Sequence, residues 1–451
     1  MKTSAVNRSS FLEYGGRIDA SFHLSEGVSI KRTIYHSPYP LSTVGAVSKD
    51  IFYGNRAKRV YVSKIDKGIP FLSSSDILSS DLDNVKYASK KYTPGIAQLR
   101  LEEGWILVSR SGTIGNTAWT NKRHAQKLAS EHVIRIIPND ILRGGFLYAY
   151  LSSRQGHSLL TQGTFGGVIQ HIEPDFVRSI PIPIFPDAFQ IKVDSLIKES
   201  ARLREVSIEA LYASHKIVES YFPAVPSKKN CQSVSIKDIW SSQAHRMESS
   251  YHIADGKFYD AFIRDNFLWK PLGDMSKSIS RPDIFKRMYV DNGITFLGGT
   301  DIMLSIPDSK KKLSKKAHHI DDFMVDEGWI LLPRSGTIGD VVYTTSQHAQ
   351  KLVSEHVIRI IPNDILSGGY VFAFLSSKIG RALIQRPIFG SVIQHVEPPL
   401  LKTMPIPIIE DEKMEEISNL AETYRSAWGE ACKKELEAIA LVEAEIEKWN
   451  K

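Results

Sequence analysis

Short apolar runs alternate with long amphipathic stretches along the chain, and the whole succession occurs twice. The runs GWILVSR (residues 104–110) and HVIRIIP (132–138) are rich in β-branched residues and lie between turn residues, which predicts strands. In residues 187–222 and 411–451 the apolar positions recur every three or four residues, which predicts helices. Residues 144–160 show the same spacing, and we expect a helix there that closes near Gly163. Each half of the chain therefore predicts an α+β globule followed by a long helix.

The two halves are copies of one another. The block from Gly104 to Pro183 matches the block from Gly328 to Pro407 at an offset of 224 without a gap, and 48 of the 80 paired positions are identical. Upstream, RIDASFH matches RMESSYH, KRVYV matches KRMYV and FLSSSDI matches FLGGTDI, at offsets that drift from 229 to 225. This drift indicates small insertions in loops. A period this long indicates a tandem of whole domains, since solenoid repeats span only about 20–50 residues.

The expected architecture is globule, helix, globule, helix. The segment FPAVPSKKNCQS is rich in Pro, Lys and Ser, so we expect it to end the first helix and to act as a hinge. Neither helix can bury its apolar stripe on a small domain alone, so we expect the two to pair as an antiparallel, coiled-coil-like stalk with pseudo-two-fold symmetry. The expected segments are a first domain over 1–186, a helix over 187–222, a linker over 223–233, a second domain over 234–410 and a helix over 411–451.

Composition adds a mild basic bias and few other constraints. The chain has 451 residues, a formal net charge of +7 and a pI near 9.0, which is compatible with a polyanionic partner. It has two cysteines, no apolar run long enough for a membrane span and no secretory signal, so we expect a cytoplasmic protein without disulfides. The motifs GxxxxGK[ST], HExxH, CxxC and GxSxG are absent, as is an N/D-P-P-[FY] motif, so we expect no metal site and no catalytic activity.

Three pairs of segments carry a resemblance to a known family. They are GWILVSRSGTIG with GWILLPRSGTIG, VIQHIEPDFVRSIPIPIFP with VIQHVEPPLLKTMPIPIIE, and ASKKYTPG with LSKKAHHI. This ordered set, present twice and followed each time by a helix, resembles the specificity (S) subunit of type I restriction–modification systems. The resemblance extends over essentially the whole chain and implies a non-catalytic reader of double-stranded DNA.

The resemblance also implies partners and their cofactors. Each globule would read one half of a split DNA target, and the helices would set the spacing and dock two methyltransferase (modification) subunits. Restriction or translocase subunits could join that complex. S-adenosylmethionine, and ATP with Mg²⁺, would bind to those partner subunits, and we expect no cofactor in this chain. The resemblance implies that the assembled complex would be an adenine-specific DNA methyltransferase and, with restriction subunits, could also be an ATP-dependent endonuclease.

One departure from the family concerns the likeness of the two globules. Specificity subunits usually carry two strongly different recognition domains, whereas these two are closely similar. Two like domains related by an approximate two-fold axis would read similar sequences on opposite strands. We therefore expect a partly palindromic split target, with any difference between its halves arising in the drifting upstream parts of each copy.

Candidate DNA contacts recur at matching places in the two copies. Arg110 and Arg334 begin the glycine turn RSGTIG; an arginine fork fits guanine O6 and N7, and the hydroxyls suit phosphate, although the motif could be only a tight turn. The lysine-rich segments could follow phosphates or form an ordinary solvated surface. The full set is Lys58, Arg59, Lys90, Lys91, Arg110, Ser111, Thr113, Gln170, Lys286, Arg287, Lys311, Lys312, Lys315, Lys316, Arg334, Ser335, Thr337 and Gln394.

Other interpretations stay open. Gln170 and Gln394 could pair with adenine, but their place beside the helix entry favours a hydrogen-bonded structural turn. His132 and His356 open a strand, which favours a structural role, and Glu131 and Glu355 beside them could bind a neighbouring arginine. The chain as a whole could instead serve a related methylation-based phage-defence complex, act as a protein-binding scaffold, or be a duplicated hydrolase or transferase with an unfamiliar site.

Overall fold

The two long helices divide their contacts between two compact units. Unit 1 consists of Met1–Glu205 and Glu430–Lys451, and unit 2 consists of Val206–Gly429; the residues of each unit contact mainly one another. Each unit therefore contains one half of each helix, and the domain limits expected from sequence, which assign each helix whole, stay a prediction. The computed structural model describes residues 20–56, 58–63, 68–164, 170–226, 233–241, 247–248, 251–252, 254–317, 319–390 and 394–450. The FGGV turn (residues 165–168) lies wholly outside these residues, and its counterpart FGSV (389–392), the linker and the RIDASFH and RMESSYH segments lie partly outside them.

The strands predicted from GWILVSR and HVIRIIP form the centre of an antiparallel sheet in unit 1. Its strands are β2 (Ser48–Tyr53), β6 (Ile106–Ser109), β7 (Thr117–Trp119) and β9 (Val133–Pro138). The strand order is β2-β9-β6-β7. In β6 the side chains alternate, so that Ile106 and Val108 join one core and Leu107 joins another on the opposite face. The apolar run is continuous because both faces of this strand are buried.

The remaining strands of unit 1 are β1 (Leu41–Thr43), β3 (Tyr61–Val62), β4 (Gly68–Leu72), β5 (Lys86–Ser89), β8 (Leu128–Ala129) and β10 (Pro181–Pro183). Four of them form a second, smaller sheet with the order β3-β5-β4-β8, in which β4 and β8 run parallel. The other two, β1 and β10, form an antiparallel pair, which brings the proline-fixed segment before the first long helix against the start of the globule.

The predicted helix over 144–160 is two helices in the structure. Ser153 has extended backbone angles and its hydroxyl accepts a hydrogen bond from the Gly156 amide, so it caps a second helix and ends the first. Gly163 closes that second helix, as expected. The helices of unit 1 before the long one are α1 (Ala20–His23), α2 (Glu26–Tyr35), α3 (Ile96–Leu99), α4 (Gly144–Ser152), α5 (Arg154–Gln162) and α6 (Pro174–Arg178), with 3₁₀ turns at Asp76–Leu78 and His124–Gln126.

The first long helix, α7 (Asp187–Ser220), begins where the sequence indicates and ends two residues earlier than residue 222. In unit 2 the same order of elements follows it. The helices are α8 (Ile236–Ser241), α9 (Asp255–Asn266), α10 (Ile365–Ser376), α11 (Lys378–Gln385), α12 (Pro398–Lys402) and α13 (Asp411–Glu447), with 3₁₀ turns at Leu272–Met275, Asp301–Met303 and Ile320–Phe323. The end of α13 from Glu430, and the 3₁₀ turn at Lys448–Asn450 after it, belong to unit 1.

The sheets of unit 2 repeat those of unit 1 with small changes. The strands are β11 (Leu268–Pro271), β12 (Ser276–Ser280), β13 (Tyr289–Leu297), β14 (Lys312–Leu313), β15 (Ile330–Pro333), β16 (Val342–Tyr343), β17 (Leu352–Val353), β18 (Val357–Pro362) and β19 (Pro405–Ile408). The large antiparallel sheet has the order β12-β18-β15-β16, the smaller one has the order β14-β13-β17, and β11 pairs with β19. The chain thus contains two α+β globules, each followed by a long helix, as the repeat predicts.

Antiparallel helix pairing is present inside each unit. In unit 1, Ser200 lies beside Glu435 and Arg204 beside Cys432, so the sequence numbers of the two helices run in opposite directions. The paired segments also pack on the globule: Val193 and Ile197 of α7 and Ala438, Val442 and Ile446 of α13 belong to the main core of unit 1. In unit 2 the other halves do the same, with Val218, Ile417 and Ala421 in its main core. The apolar stripes are therefore covered by both the partner helix and the globule.

Candidate nucleic-acid interface

The antiparallel pairing of β3 with β5 brings two separate basic segments of unit 1 together. Tyr61 lies opposite Ala88, and the Ser89 amide donates to the Val60 carbonyl at 2.8 Å. The residues just before β3 therefore lie beside the residues just after β5. Lys58, Lys90 and Lys91 are exposed at this place.

The same pairing recurs in unit 2. The Ser314 amide donates to the Met288 carbonyl at 3.0 Å, which brings the segment of Lys286 beside that of Lys315 and Lys316. All three lysines are exposed, as is Lys311, whereas Lys312 is half-buried in β14. We call the two groups, Lys58, Lys90 and Lys91 in unit 1 and Lys286, Lys315 and Lys316 in unit 2, the lysine edges.

Arg59 and Arg287 lie next to the lysine edges, and each is half-buried and held by a glutamate. Arg59 forms an ion pair with Glu131, and Arg287 Nη2 lies 2.5 Å from Glu355 Oε1. Each guanidinium also lies 5.1 Å from the centre of a phenylalanine ring, Phe71 or Phe296. The expectation that these glutamates bind a neighbouring arginine therefore agrees with the structure.

The pKa values of these arginines reflect two opposing causes. Burial lowers the pKa of Arg59 and of Arg287, but the hydrogen bonds that they donate to Tyr61 and Tyr289 and the charge of the glutamates outweigh it, so both pKa values are raised. Burial likewise raises the pKa of Glu355, while a backbone hydrogen bond and Arg287 lower it more.

The glycine turn RSGTIG connects the ladder of β6 to two other segments. In unit 1 the Arg110 amide donates to the His132 carbonyl at 2.9 Å, and the Ile172 amide donates to the Arg110 carbonyl at 3.2 Å. Unit 2 repeats both bonds, from Arg334 to His356 and from Val396 to Arg334, at 2.8 and 3.1 Å. The second glycine of the motif needs positive φ in each copy, 82° at Gly115 and 108° at Gly339.

The polar residues of the turn make internal hydrogen bonds. Ser111 Oγ lies 2.8 Å from His132 Nδ1, and Thr113 donates to the Ser74 carbonyl and to Ser109 Oγ. Thr113 is nevertheless exposed, as is Thr337 of the other copy, while Ser335 is half-buried. The hydroxyls of Ser111 and Thr113 therefore brace the turn in unit 1, and the threonine of each copy reaches solvent.

Arg110 and Arg334 are each held by a glutamate that the sequence reasoning missed. Arg110 forms an ion pair with Glu173; Arg334 donates from Nε and Nη2 to Glu397 Oε1, with the Nε distance 2.7 Å. Burial raises the pKa of Glu397, but hydrogen bonds from Arg334 and Arg281 lower it overall. The available signal was the shared HIEP and HVEP segment, in which this glutamate is identical in both copies.

Gln170 and Gln394 lie next to the glycine turn. The neighbouring His171 forms an isolated antiparallel bridge with Ser111, and His395 forms the same bridge with Ser335. Both glutamine side chains are exposed. The segment thus ties the turn to the helix entry, in line with the structural interpretation, and its glutamines face solvent.

Arg135 and Arg359, in the middle of HVIRIIP, have a structural role. Arg135 donates to the carbonyls of Val133 and Ala129, and Arg359 donates to that of Val353 at 2.6 Å. Burial lowers the pKa of both arginines to about 10. These buried cations hold loops together and are not candidates for DNA contact.

The part of the chain that the structure describes contains neither a metal-ligand cluster nor a helix suited to a membrane. No group of three or more His, Cys, Asp or Glu side chains is placed to hold a metal ion. No described helix is both long and apolar enough to cross a membrane.

Comparison with known proteins identifies the family. The model for the "Type I restriction modification DNA specificity domain" matches residues 49–193 and 267–438. Among solved structures the chain is similar to the S subunit of a type I restriction-modification system from M. genitalium (12% identity, 91% of this chain and 96% of that chain, TM-score 0.34). It is also similar to the HsdS subunit from Thermoanaerobacter tengcongensis (14% identity, 91% and 96%, TM-score 0.29). No curated protein matches. Because the family model matches more than half of the chain, in two places, the chain belongs to the family of type I restriction modification DNA specificity domains and contains two of them.

Proposed function

We propose that the chain is the specificity subunit of a type I restriction–modification complex and that each unit reads one half of a split double-stranded DNA target. The observation that carries this proposal is the presence, in both units, of a lysine edge beside two braced arginines. A polyanion with two similar halves is the partner that a duplicated basic surface fits.

The lysine edges are proposed to contact the DNA backbone. In each unit the exposed lysines come from two segments of the chain, so they can neutralise phosphates over a short length of duplex. Lys311 and Lys312 extend the basic surface of unit 2. Such contacts give affinity and position the protein, whereas they do not select a sequence.

Arg110 and Arg334 are proposed to read bases. A guanidinium held by a carboxylate has a fixed direction, and a fixed donor loses less conformational entropy when it binds guanine O6 and N7. Thr113, Thr337, Gln170 and Gln394 are exposed beside these arginines and would add contacts to phosphates or base edges. Arg59, Arg287, Ser111 and Ser335 brace the surface from within.

The split target is proposed to be partly palindromic, because both units carry the same polar network. The long helices would set the distance between the half-sites and dock two methyltransferase subunits, which would bind S-adenosylmethionine. Restriction subunits with ATP and Mg²⁺ could complete the assembly. The chemistry on adenine, and any cleavage, would therefore belong to partner subunits.

Lengthening both helices by the same amount tests this proposal. Seven residues inserted after Glu205 and seven before Glu430 add about two helical turns, or about 10 Å at 1.5 Å per residue. With DNA rising 3.4 Å per base pair, the preferred spacer should grow by about three base pairs while both half-sites stay the same. Selection from a randomised duplex library by the full chain would measure this. An unchanged spacer would refute the role of the helices, and no selected motif at all would refute the DNA reader.

A further inference from the structure

One residue that contacts the arginine–glutamate pair differs between the two units. In unit 1, Phe52 lies opposite Arg135 in the sheet ladder; in unit 2, Ser280 lies opposite Arg359, the equivalent of Arg135 at an offset of 224. The next residue, Tyr53 or Arg281, therefore occupies the same place in the two copies. The arginine, the glycine turn and the glutamate around it are identical.

Both residues contact the arginine–glutamate pair. The guanidinium carbon of Arg110 lies 4.4 Å from the centre of the Tyr53 ring, which is a cation–π distance. In unit 2, Arg281 Nε lies 3.2 Å from Glu397 Oε2, while Arg334 occupies the other carboxylate oxygen. One glutamate therefore serves one arginine in unit 1 and two arginines in unit 2.

The substitution changes both the charge and the hydrogen-bond donors at the surface. The set Tyr53, Arg110 and Glu173 is neutral, whereas Arg281, Arg334 and Glu397 carry one net positive charge. The side chain of Arg281 is 29% exposed, and Tyr53 is 36% exposed, so both reach solvent at the proposed DNA-facing surface. At this position unit 2 thus presents an arginine fork where unit 1 has a tyrosine.

We propose that position 53/281 determines the difference between the two half-sites, with Arg281 reading a guanine in the half-site of unit 2. This inference rests on the proposed DNA-reading function. Guanine is the base that offers two acceptors to an arginine fork in the major groove, and Tyr53 has no equivalent pair of donors. A phosphate contact fits less well, because Arg281 is half-buried and fixed by Glu397 and the exposed lysine edges already supply flexible cations.

The test compares the full-length chain with Arg281→Tyr, Arg281→Lys and Tyr53→Arg on one randomised duplex library, with sequencing of the bound DNA. Arg281→Tyr should remove a guanine preference of roughly 5- to 150-fold at one position of one half-site and leave the other half-site unchanged. Tyr53→Arg should add a guanine preference at the matching position of the other half-site. Arg281→Lys keeps the charge but not the fork, so it should lose the preference and keep the salt dependence.

The outcomes separate the two proposals. If the unmodified chain selects a split motif and all three variants select the same motif, position 53/281 does not determine specificity. A uniform loss of binding on all sequences after Arg281→Tyr would assign Arg281 to phosphate and also overturn the inference. If the unmodified chain selects no motif, the DNA-reading proposal itself is wrong. Thermal unfolding of each variant guards against misfolding, and Arg281→Lys, the mildest change, provides the decisive arm if Arg281→Tyr does not fold.

Discussion

Two regions of the molecule differ in how closely unit 2 repeats unit 1. They are the arginine–glutamate networks at the strand ends and the buried contact between the long helices and the globule. Arg59–Glu131 and Arg110–Glu173 recur in unit 2 as Arg287–Glu355 and Arg334–Glu397. The buried helix contact is not shared. In unit 1 it is polar, with Arg204 Nη1 2.6 Å from Glu435 Oε2 and Tyr148 donating to Glu435; the same repeat positions in unit 2 hold Trp428, Leu211 and Phe372.

This difference is the reverse of what stability alone favours. Core packing is sensitive to a change of even one methylene group, so stability alone favours keeping a buried contact unchanged. Exposed ion pairs contribute little to stability. Here the two copies kept partly exposed networks and changed a buried contact. We conclude that a requirement other than stability preserved the arginine–glutamate networks in both copies. Because the chain belongs to a family of DNA specificity domains, DNA reading is the requirement that fits.

The largest effect is expected from removal of the Glu435 carboxylate. Burial lowers the pKa of Arg204, but Glu435 and Cys432 raise it overall, so the guanidinium stays charged. Glu435→Ala would leave that charge buried without its counterion, at a cost of about 3–5 kcal/mol in unfolding free energy of unit 1. Denaturant-dependent hydrogen exchange of the Gly144–Ser152 helix measures this change locally.

Two further variants serve as controls for this prediction. Glu422→Ala in unit 2 removes a carboxylate that pairs with Arg425 and Tyr343 but is 21% exposed, so it should cost only about 1 kcal/mol. The triple change Tyr148→Phe, Arg204→Leu and Glu435→Leu gives unit 1 an apolar contact like that of unit 2, and it should recover most of the loss. Equal losses for Glu435→Ala and Glu422→Ala would show that the two contacts are equivalent.

The next effect concerns the shared arginines. Arg110→Ala and Arg334→Ala should each relax one base position in one half-site and cost about 1–3 kcal/mol of binding free energy on the preferred target. Because the networks are alike, the two relaxed positions should be equivalent in the two half-sites. Equal losses on all sequences, measured by competition binding, would assign both arginines to phosphate contacts.

A buried histidine is a core feature that the copies did keep. Burial lowers the pKa of His124 to about 3 and that of His348 to about 4. An unfolded histidine, with a pKa near 6.5, binds its proton first as pH falls, so each residue makes the unfolded state more favourable below that value. Stability should be full above about pH 6.5 and should fall by up to about 1.4 kcal/mol per pH unit and per histidine between there and pH 4.

Replacement of both histidines by Asn tests this pH dependence. Because the double variant lacks both buried imidazoles, it should show a flatter loss of stability between pH 6.5 and 5 than the unmodified chain, whatever its absolute stability. An unchanged slope would contradict the buried, neutral state of both residues.

The smallest effects are expected at the lysine edges. Lys90→Ala with Lys91→Ala, and Lys315→Ala with Lys316→Ala, should each weaken DNA binding on all sequences and reduce the slope of log affinity against log salt by about 1.8. Lys433→Ala with Lys434→Ala on the second long helix is a matched control that should leave the slope unchanged. Unequal effects of the two edge pairs would mean that the units use their lysines differently.

The fold could be predicted largely because it depends on local patterns that occur twice. Both central strands follow from β-branched runs, and both long helices follow from their periodic apolar positions. The break at Ser153 was missed, because one serine hydroxyl capping the Gly156 amide overrides the helical spacing on either side. The packing of helix halves on each globule is a tertiary property that spacing does not encode.

The candidate site was predictable only in part, for a similar reason. The lysine pairs and the glycine turn are visible in the repeat. Only the pairing of β3 with β5 places the segment of Lys58 beside that of Lys90 and Lys91. Glu173 and Glu397 lie 63 residues from the arginines that they hold, so only the tertiary fold reveals their role. Tyr53 and Arg281 escaped notice because they lie outside the near-identical blocks, and they match only through the sheet register.

A map of methylated bases in the genome that encodes this chain, before and after deletion of its gene, tests the central claim most directly. The account predicts that deletion abolishes methylation at one split target, whose two half-sites are inverted, similar at most positions and different at few. Two unrelated half-sites, or methylation that does not depend on the gene, would contradict it.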